Sequence, residues 1–262
     1  YKMKKTINTL IFIILSSGFL LSKNLTLHDY DNPSASHILD VEIINDLLIV
    51  SGMIGGIEFY NISDPENLNH LDNLQLSSGG GGPNQTKPNC IVASGDYAYV
   101  TTNQGLGVIN ISNPNNPQYL GIVSGTNGYI LENLDVHNNL IAVAAHEDGV
   151  LLYDISNPIA PNFLSIIETE NAWSVDLTDY YMYIADGVNL LVYYNFDNSN
   201  EYSLMSSLEL SNAIKDVAIG DGYLFVALGS DGVVAINLMI DATLQIIDTY
   251  NTSAMANRIE AF

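Results

Sequence analysis

The chain has little positive charge. Its 262 residues include 29 Asp and Glu but only 7 Lys and Arg, so the formal net charge is −22. Such an acidic surface argues against nucleic acid and anionic membranes as partners, because both would repel it. It favours cations or a basic partner, or it simply keeps the protein soluble in salty surroundings.

Cysteine and catalytic motifs are also scarce. Cys90 is the single cysteine, so an internal disulfide is excluded. It falls on a predicted inner strand, where we expect a small buried apolar side chain. The five His residues are scattered, and the sequence has no Gly-x-Ser-x-Gly, zinc signature or triad pattern. We therefore predict no catalysis and no cofactor, with calcium as the one open alternative.

The main apolar run lies near the N-terminus. Met3-Lys4-Lys5 precedes the apolar residues 10–15, and small residues follow up to Ser22. This order is typical of a secretory signal, so we predict a signal peptide at residues 1–22 and export to the periplasm, cell surface or medium. The alternative is a membrane anchor, for which the run is short and interrupted. No later segment is apolar enough to span a bilayer, so the mature chain is predicted to have no span.

A ten-residue segment recurs along the chain. It occupies residues 56–65, 105–114 and 149–158, each time ending in Ile-Ser-Asn-Pro or Ile-Ser-Asp-Pro. A second series of short apolar segments ends at Val50, Val100, Val143, Ile184 and Val226. After a longer first step, both series advance by about 42 residues, the period of a repeat architecture.

Each repeat predicts four short strands. The first alternates apolar and polar residues, as in Val41 and Ile43, the second belongs to the second series, and the third is the recurrent segment. Asp148-Gly149 suits the positive φ of a hairpin turn, and Asn189 takes the place of the glycine once. Four-stranded antiparallel units repeated radially predict an all-β fold, a β-propeller. The expected blades are residues 38–76, 89–130, 131–170, 172–211 and 213–250, within a propeller domain at 23–262.

The repeat resembles the LVIVD-repeat family of bacterial and archaeal propeller proteins. The resemblance covers residues from about 24 to the end. It rests on the Ile-Ser-Asn/Asp-Pro segments and on strands such as Tyr-Ala-Tyr-Val at 97–100 and Tyr-Leu-Phe-Val at 223–226. It implies a propeller scaffold in proteins that are often exported. Repeats four and five lack the Ser-Asn-Pro ending.

Both ends of the chain depart from the repeat. Residues 25–30 look like a fourth strand without the preceding three, and residues 254–262 look like a first strand without its followers. Ile259 aligns with Val217 of the preceding repeat. We expect five complete blades and partial strands of a further one, in a C-terminally truncated fragment of a propeller with at least six blades.

Acidic residues flank the apolar positions of the predicted first strands. First strands surround the central channel of a propeller, so their carboxylates could form an acidic ring that binds calcium, which takes several oxygen ligands. Alternatively, these carboxylates solvate the blade edges or bond to the main chain. The candidate metal ligands are Asp40, Glu42, Asp135, Asp176 and Asp216. By contrast, His146-Glu147-Asp148 has no second His at ligand spacing, and we interpret it as a hairpin turn.

These observations favour a secreted or cell-surface propeller scaffold that binds a protein or a surface glycan without catalysis of its own. The alternative is a calcium-dependent, lactonase-like hydrolase with the metal in the acidic channel. A third hypothesis is a structural part of a larger exported protein whose anchor or sorting domain lies beyond Phe262.

Overall fold

The computed structural model describes residues 13–14, 38–52, 56–64, 67–76, 86–195, 201–220, 222–238 and 243–261. The described residues form strands and turns and contain no helix. Apart from Ile13–Ile14, the predicted signal segment lies outside the described residues, as does the predicted strand at 25–30.

Five sheets of four strands each make up the fold, and we call them blades 1 to 5 in chain order. Blade 1 contains β2 (Ile38–Ile44), β3 (Leu47–Gly52), β4 (Gly56–Asn61) and β5 (Asn69–Leu74). Blade 2 contains β6 (Pro88–Ser94), β7 (Tyr97–Thr102), β8 (Gly105–Asn110) and β9 (Gln118–Ile122). Blade 3 contains β10 (Leu134–His137), β11 (Leu140–Ala144), β12 (Val150–Asp154) and β13 (Asn162–Ile167).

Blade 4 contains β14 (Ala172–Leu177), β15 (Tyr181–Asp186), β16 (Asn189–Asn195) and β17 (Tyr202–Glu209). Blade 5 contains β18 (Asp216–Gly220), β19 (Tyr223–Ala227), β20 (Val233–Leu238) and β21 (Leu244–Tyr250). Two short strands, β1 (Ile13–Ile14) and β22 (Glu260–Ala261), pair in parallel. Strands within a blade follow chain order, which confirms the prediction of five four-stranded antiparallel units.

The apolar cores lie between neighbouring blades. The chain divides into two compact units, Leu20–Ala172 and Trp173–Phe262 with Tyr1–Phe19. In the first unit, Phe59 and Val100 pack between blades 1 and 2, while Tyr99 and Leu151 pack between blades 2 and 3. In the second unit, a cluster of the same kind joins blades 4 and 5. Within each unit a sheet is therefore covered by its neighbour. Successive side chains of a strand point to opposite faces of the sheet and pack against different neighbouring blades.

Glycine is required where the third strand begins. Gly149 has φ 80°, and a Cβ there would collide with the carbonyl oxygen of Ile167 on β13, the fourth strand of the same blade. Gly56 and Gly232 meet the same kind of carbonyl in blades 1 and 5. The expectation that Asn189 adopts positive φ is wrong. In blade 4 the two-residue hairpin Gly187-Val188 joins β15 to β16, and Gly187 has the positive φ of 63°.

The Ser of the recurrent segment is held by the Asn or Asp two residues before it. Asn61 Oδ1 accepts bonds from the main-chain N and Oγ of Ser63 at 2.9 and 2.6 Å. Asn110 and Asp154 hold their serines in the same way. Asn and Asp alternate at this position because each supplies the side-chain oxygen that such a turn requires. The motif therefore has a structural role.

The fourth strand of each blade contains a β-bulge at the same position. In blade 5, Ala235 pairs with Asp248 and Ile236 pairs with Ile246, so Ile247 is the extra residue. The other four blades show the same register shift. All five extra residues are large and apolar: Leu71, Leu120, Leu164, Met205 and Ile247. We call β5, β9, β13, β17 and β21 the outermost strands and β2, β6, β10, β14 and β18 the first strands.

Candidate functional site

The first-strand carboxylates of blade 1 bond to the main chain of blade 2. Asp40 Oδ2 accepts a bond from the N–H of Ile91 at 2.8 Å. Glu42 Oε1 accepts one from Ala93 at 3.0 Å. A first strand is a sheet edge, so its outward N–H groups need partners from elsewhere. The two carboxylates provide them.

Blades 4 and 5 repeat this arrangement. Asp176 Oδ2 accepts a bond from the N–H of Ile219 at 2.7 Å. Asp216 Oδ2 accepts one from Ile259 at 2.9 Å, and its Oδ1 accepts the hydroxyl of Ser174 at 2.6 Å. Four of the five candidate metal ligands thus bond to the following first strand or segment. These contacts agree with the alternative in which the carboxylates bond to the main chain. The calcium ring stays a prediction.

Glu42 is a carboxyl with a raised pKa. The pKa of Glu42 is raised from 4.5 to about 7, mainly because the carboxyl is buried; the bond from Ala93 lowers the pKa, and the nearby charges of Asp40 and Asp135 raise it. Asp135 itself accepts a bond from the N–H of Val136 at 2.7 Å. Within the described ranges, no three His, Cys, Asp or Glu side chains are placed to hold a metal ion.

A second polar cluster lies at the hairpin end of blade 3. His146 Nε2 is 3.5 Å from Glu132 Oε2, and His146 Nδ1 is 3.3 Å from Asn171 Oδ1. The three residues come from the segment before β10, the β11–β12 hairpin and the β13–β14 connection. No sequence pattern indicated this cluster, since Glu132 and Asn171 have no spacing relation to the His146 turn.

A third cluster surrounds a buried carboxylate on β4. Tyr60 donates its hydroxyl to Glu58 Oε2 at 2.5 Å, and His70 Nε2 lies 3.7 Å from the same oxygen. The rings of Tyr60 and His70 meet edge to face at 5.0 Å. Other repeats have Gly107, Leu151 and Val234 at the position of Glu58. The sequence signal for this cluster was an acid at an otherwise small or apolar repeat position.

Exposed apolar side chains concentrate on the outermost strands. Fifteen large apolar side chains are exposed in the described part of the chain, and eight of them lie on these strands. The eight are Leu120, Phe163, Ile166, Leu204, Met205, Ile246, Ile247 and Tyr250. The last five belong to β17 and β21, which are close neighbours. Contiguous apolar patches on a protein surface are typical of interaction sites.

Comparison with known proteins agrees with the fold. The LVIVD repeat family model matches residues 88–124, 132–169 and 170–193. No curated protein matches the chain. The described residues include no helix long and apolar enough to cross a bilayer.

Several solved structures are similar to this chain. The RRP9 WD40 repeats share 13% identity, with a TM-score of 0.64 over 86% of this chain and 69% of theirs. A presumed 6-phosphogluconolactonase from Bacteroides uniformis ATCC 8492 shares 10% identity, with a TM-score of 0.69 over 86% and 74%. A functionally unknown protein from Desulfotomaculum acetoxidans DSM 771 shares 12%, with a TM-score of 0.67 over 83% and 71%. At these identities the likeness shows the fold alone.

Proposed function

We propose that the protein, which matches the LVIVD repeat family model at residues 88–124, 132–169 and 170–193, is an exported propeller that binds a protein partner and performs no catalysis. The observation that supports this function is the concentration of exposed apolar side chains on the outermost strands, above all on β17 and β21. A surface that is apolar and accessible gains free energy when a partner covers it.

The charge of these strands indicates the chemistry of the partner. The described outermost strands carry the acids Asp72, Glu209 and Asp248 and no Lys or Arg. Lysine is a common protection of exposed sheet edges against other chains, and here it is absent. We infer a partner surface that combines apolar side chains with basic ones, which the strongly negative charge of the chain would attract.

The bulges determine how such a partner docks. Strand addition requires an uninterrupted row of edge N–H and C=O groups. In β21 the extra residue Ile247 interrupts that row, and Met205 does so in β17. Bulges also increase the twist of an edge. The partner therefore contacts the projecting side chains and does not extend the sheet.

Synthetic peptide arrays of defined composition can test this surface. The arrays would carry apolar residues alternating with Lys, with Glu or with Ser. We expect wild-type protein to bind the Lys series at least tenfold better than the Glu series, and more weakly at high salt. The double variants Leu204→Ser/Met205→Ser and Ile246→Ser/Ile247→Ser should lose this binding.

The matched control is Ile130→Ser/Ile159→Ser, which removes two exposed apolar side chains that lie on no outermost strand. Its binding should equal that of the wild type. Equal binding of the Lys and Glu series would refute the basic partner. Unchanged binding by both outermost-strand variants would refute the proposed surface.

A calcium-dependent hydrolase is the second candidate, and Glu42 is the observation that favours it. A carboxyl with a pKa of about 7 can act as a general base near neutral pH. This candidate requires calcium to raise the melting temperature and a chelator to lower it. If neither treatment changes the melting temperature, the calcium site and the hydrolase are refuted together.

A further inference from the structure

We propose that Glu132 and His146 bind a divalent transition-metal ion of the Zn²⁺ type, with Asn171 orienting the imidazole. His146 Nε2 and Glu132 Oε2 are 3.5 Å apart. Two ligand atoms that each lie about 2.0–2.1 Å from one tetrahedral zinc are about 3.4 Å apart. The pair already has the separation that a shared metal requires.

Asn171 supplies the second contact typical of a metal-binding histidine. Its Oδ1 lies 3.3 Å from His146 Nδ1, and because an amide oxygen only accepts, this contact is a hydrogen bond in the tautomer with the ring proton on Nδ1. The lone pair of Nε2 then points towards the carboxylate of Glu132. Metal-binding imidazoles commonly donate their other N–H to an oxygen in this way, which fixes the ring and its tautomer. A cation between the two facing acceptors is the arrangement that this geometry favours.

The main chain holds both ligands in place. The N–H and C=O of His146 bond to Ala172 at 2.9 and 3.0 Å. The N–H of Glu132 bonds to the carbonyl of Ala144 at 2.9 Å. The carbonyl of Glu132 accepts bonds from Asn89 and Thr101. The side chains are partly accessible, at 19% for His146 and 29% for Glu132, so an ion can reach them.

The strongest argument is the backbone conformation of His146. Its φ is 51°, in the left-handed region that non-glycine residues seldom adopt. Gly229 has the equivalent place in blade 5, with φ 56° and the same bridge to the next segment. A Cβ on Gly229 would meet Met255 and Lys215, the counterparts of Asn171 and Glu132. Blade 3 thus replaces a glycine with a strained histidine and surrounds it with polar side chains.

Such a replacement costs stability, and strained residues of this kind are typical of functional sites. Glu132 and His146 provide two protein ligands, and water would complete the coordination. The proposed site is therefore open and exchangeable, unlike a closed structural zinc site. It does not depend on the proposed protein partner.

Thermal melting and zinc titration of the full chain would test the site. Chelator-treated protein would be titrated with ZnCl₂ at neutral pH. We expect zinc to raise the melting temperature of the wild type and to bind one site tighter than the general acidic background. His146→Gly and Glu132→Gln should remove this site, and Asn171→Ala should weaken it by 10- to 100-fold.

Two features keep the experiment decisive. Without zinc, His146→Gly should melt at the wild-type temperature or above, because glycine relieves the strained φ, so a lost zinc response would not reflect unfolding. The control His137→Asn removes another histidine, at the opposite end of β10, and should respond as the wild type does. If zinc has no effect, or if all variants bind it equally, Glu132 and His146 form an ion pair only and the metal site is refuted.

Discussion

Asp216 on β18 accepts a hydrogen bond at 2.9 Å from the main-chain N–H of Ile259, 43 residues further along the chain. Asp176 bonds to Ile219 across the same separation. In the longer first repeat, Asp40 bonds to Ile91 and Glu42 to Ala93, each 51 residues away. A carboxylate of one first strand thus satisfies the edge of the next, and the sequence separation is one repeat.

Replacing Asp216 by Ala should destabilise the protein by about 2–3 kcal/mol, because three donors lose an acceptor in a buried place. The three donors are the N–H of Ile259, the N–H of Val217 and the hydroxyl of Ser174. Urea unfolding would measure the change. Asp248→Ala is the control, since Asp248 is exposed on β21, and it should stay within about 0.5 kcal/mol of wild type. Equal stabilities of the two variants would contradict the role of Asp216.

Glu42 should make stability depend on pH. Its folded pKa is raised from 4.5 to about 7, so between these values the folded state keeps a proton that the unfolded state releases. Stability therefore falls as pH rises from about 4.5 to 7 and is level above that. Glu42→Gln removes the titration. Relative to that of the wild type, the free energy of unfolding of the variant should rise by about 1–2 kcal/mol between pH 5 and 8, once solvent screening is allowed for.

The difference between wild type and Glu42→Gln isolates this group from the other carboxylates, which titrate in both proteins. Chemical unfolding at several pH values would provide the measurement. A difference that stays constant from pH 5 to 8 would show that Glu42 ionises normally in the folded state.

Gly149 and Gly125 provide a matched pair for separating backbone strain from collision. Their φ values are 80° and 84°, but a Cβ would collide with Ile167 only at Gly149 and meets nothing within 4 Å at Gly125. Gly125→Ala should cost about 1 kcal/mol for the unfavourable φ. Gly149→Ala should cost at least about 2 kcal/mol more, because the outermost strand must move. Similar losses in both variants would contradict the close approach at Ile167.

Cys90 should be unreactive in the folded protein. It is 5% exposed and packs in the core between blades 2 and 3. A thiol reagent should therefore label it at the rate of unfolding and label it fully in denaturant. Rapid stoichiometric labelling of the folded chain would show an accessible thiol and contradict its interpretation as a core residue.

Much of the fold could be predicted because it is periodic. The spacing of the Ile-Ser-Asn-Pro segments and of the Val-ended strands predicted five four-stranded blades, and the sheets confirm them. The prediction for Asn189 was wrong because the two-residue hairpin Gly187-Val188 joins β15 to β16, and Gly187 has the positive φ. Turn geometry depends on the number of residues in a hairpin, and an aligned residue type does not reveal it.

The candidate sites were less accessible to prediction. The first-strand acids were found as a pattern, but whether they face the main chain or an ion depends on the neighbouring blade. The His146 hairpin was interpreted as a simple turn because no second His lies at ligand spacing. Glu132 reaches it only through folding, from 14 residues away along the chain.

The sequence by itself determined the repeat, its strands and its strongly acidic charge, because periodicity and composition are properties of the chain read in order. The tertiary structure alone decided which groups meet. It placed Asp216 against Ile259, gathered Glu132, His146 and Asn171 at one hairpin, and gave every outermost strand its bulge. The physical reason is that hydrogen bonds and metal ligands depend on distances of a few ångströms, which are set by the packing of one blade on the next.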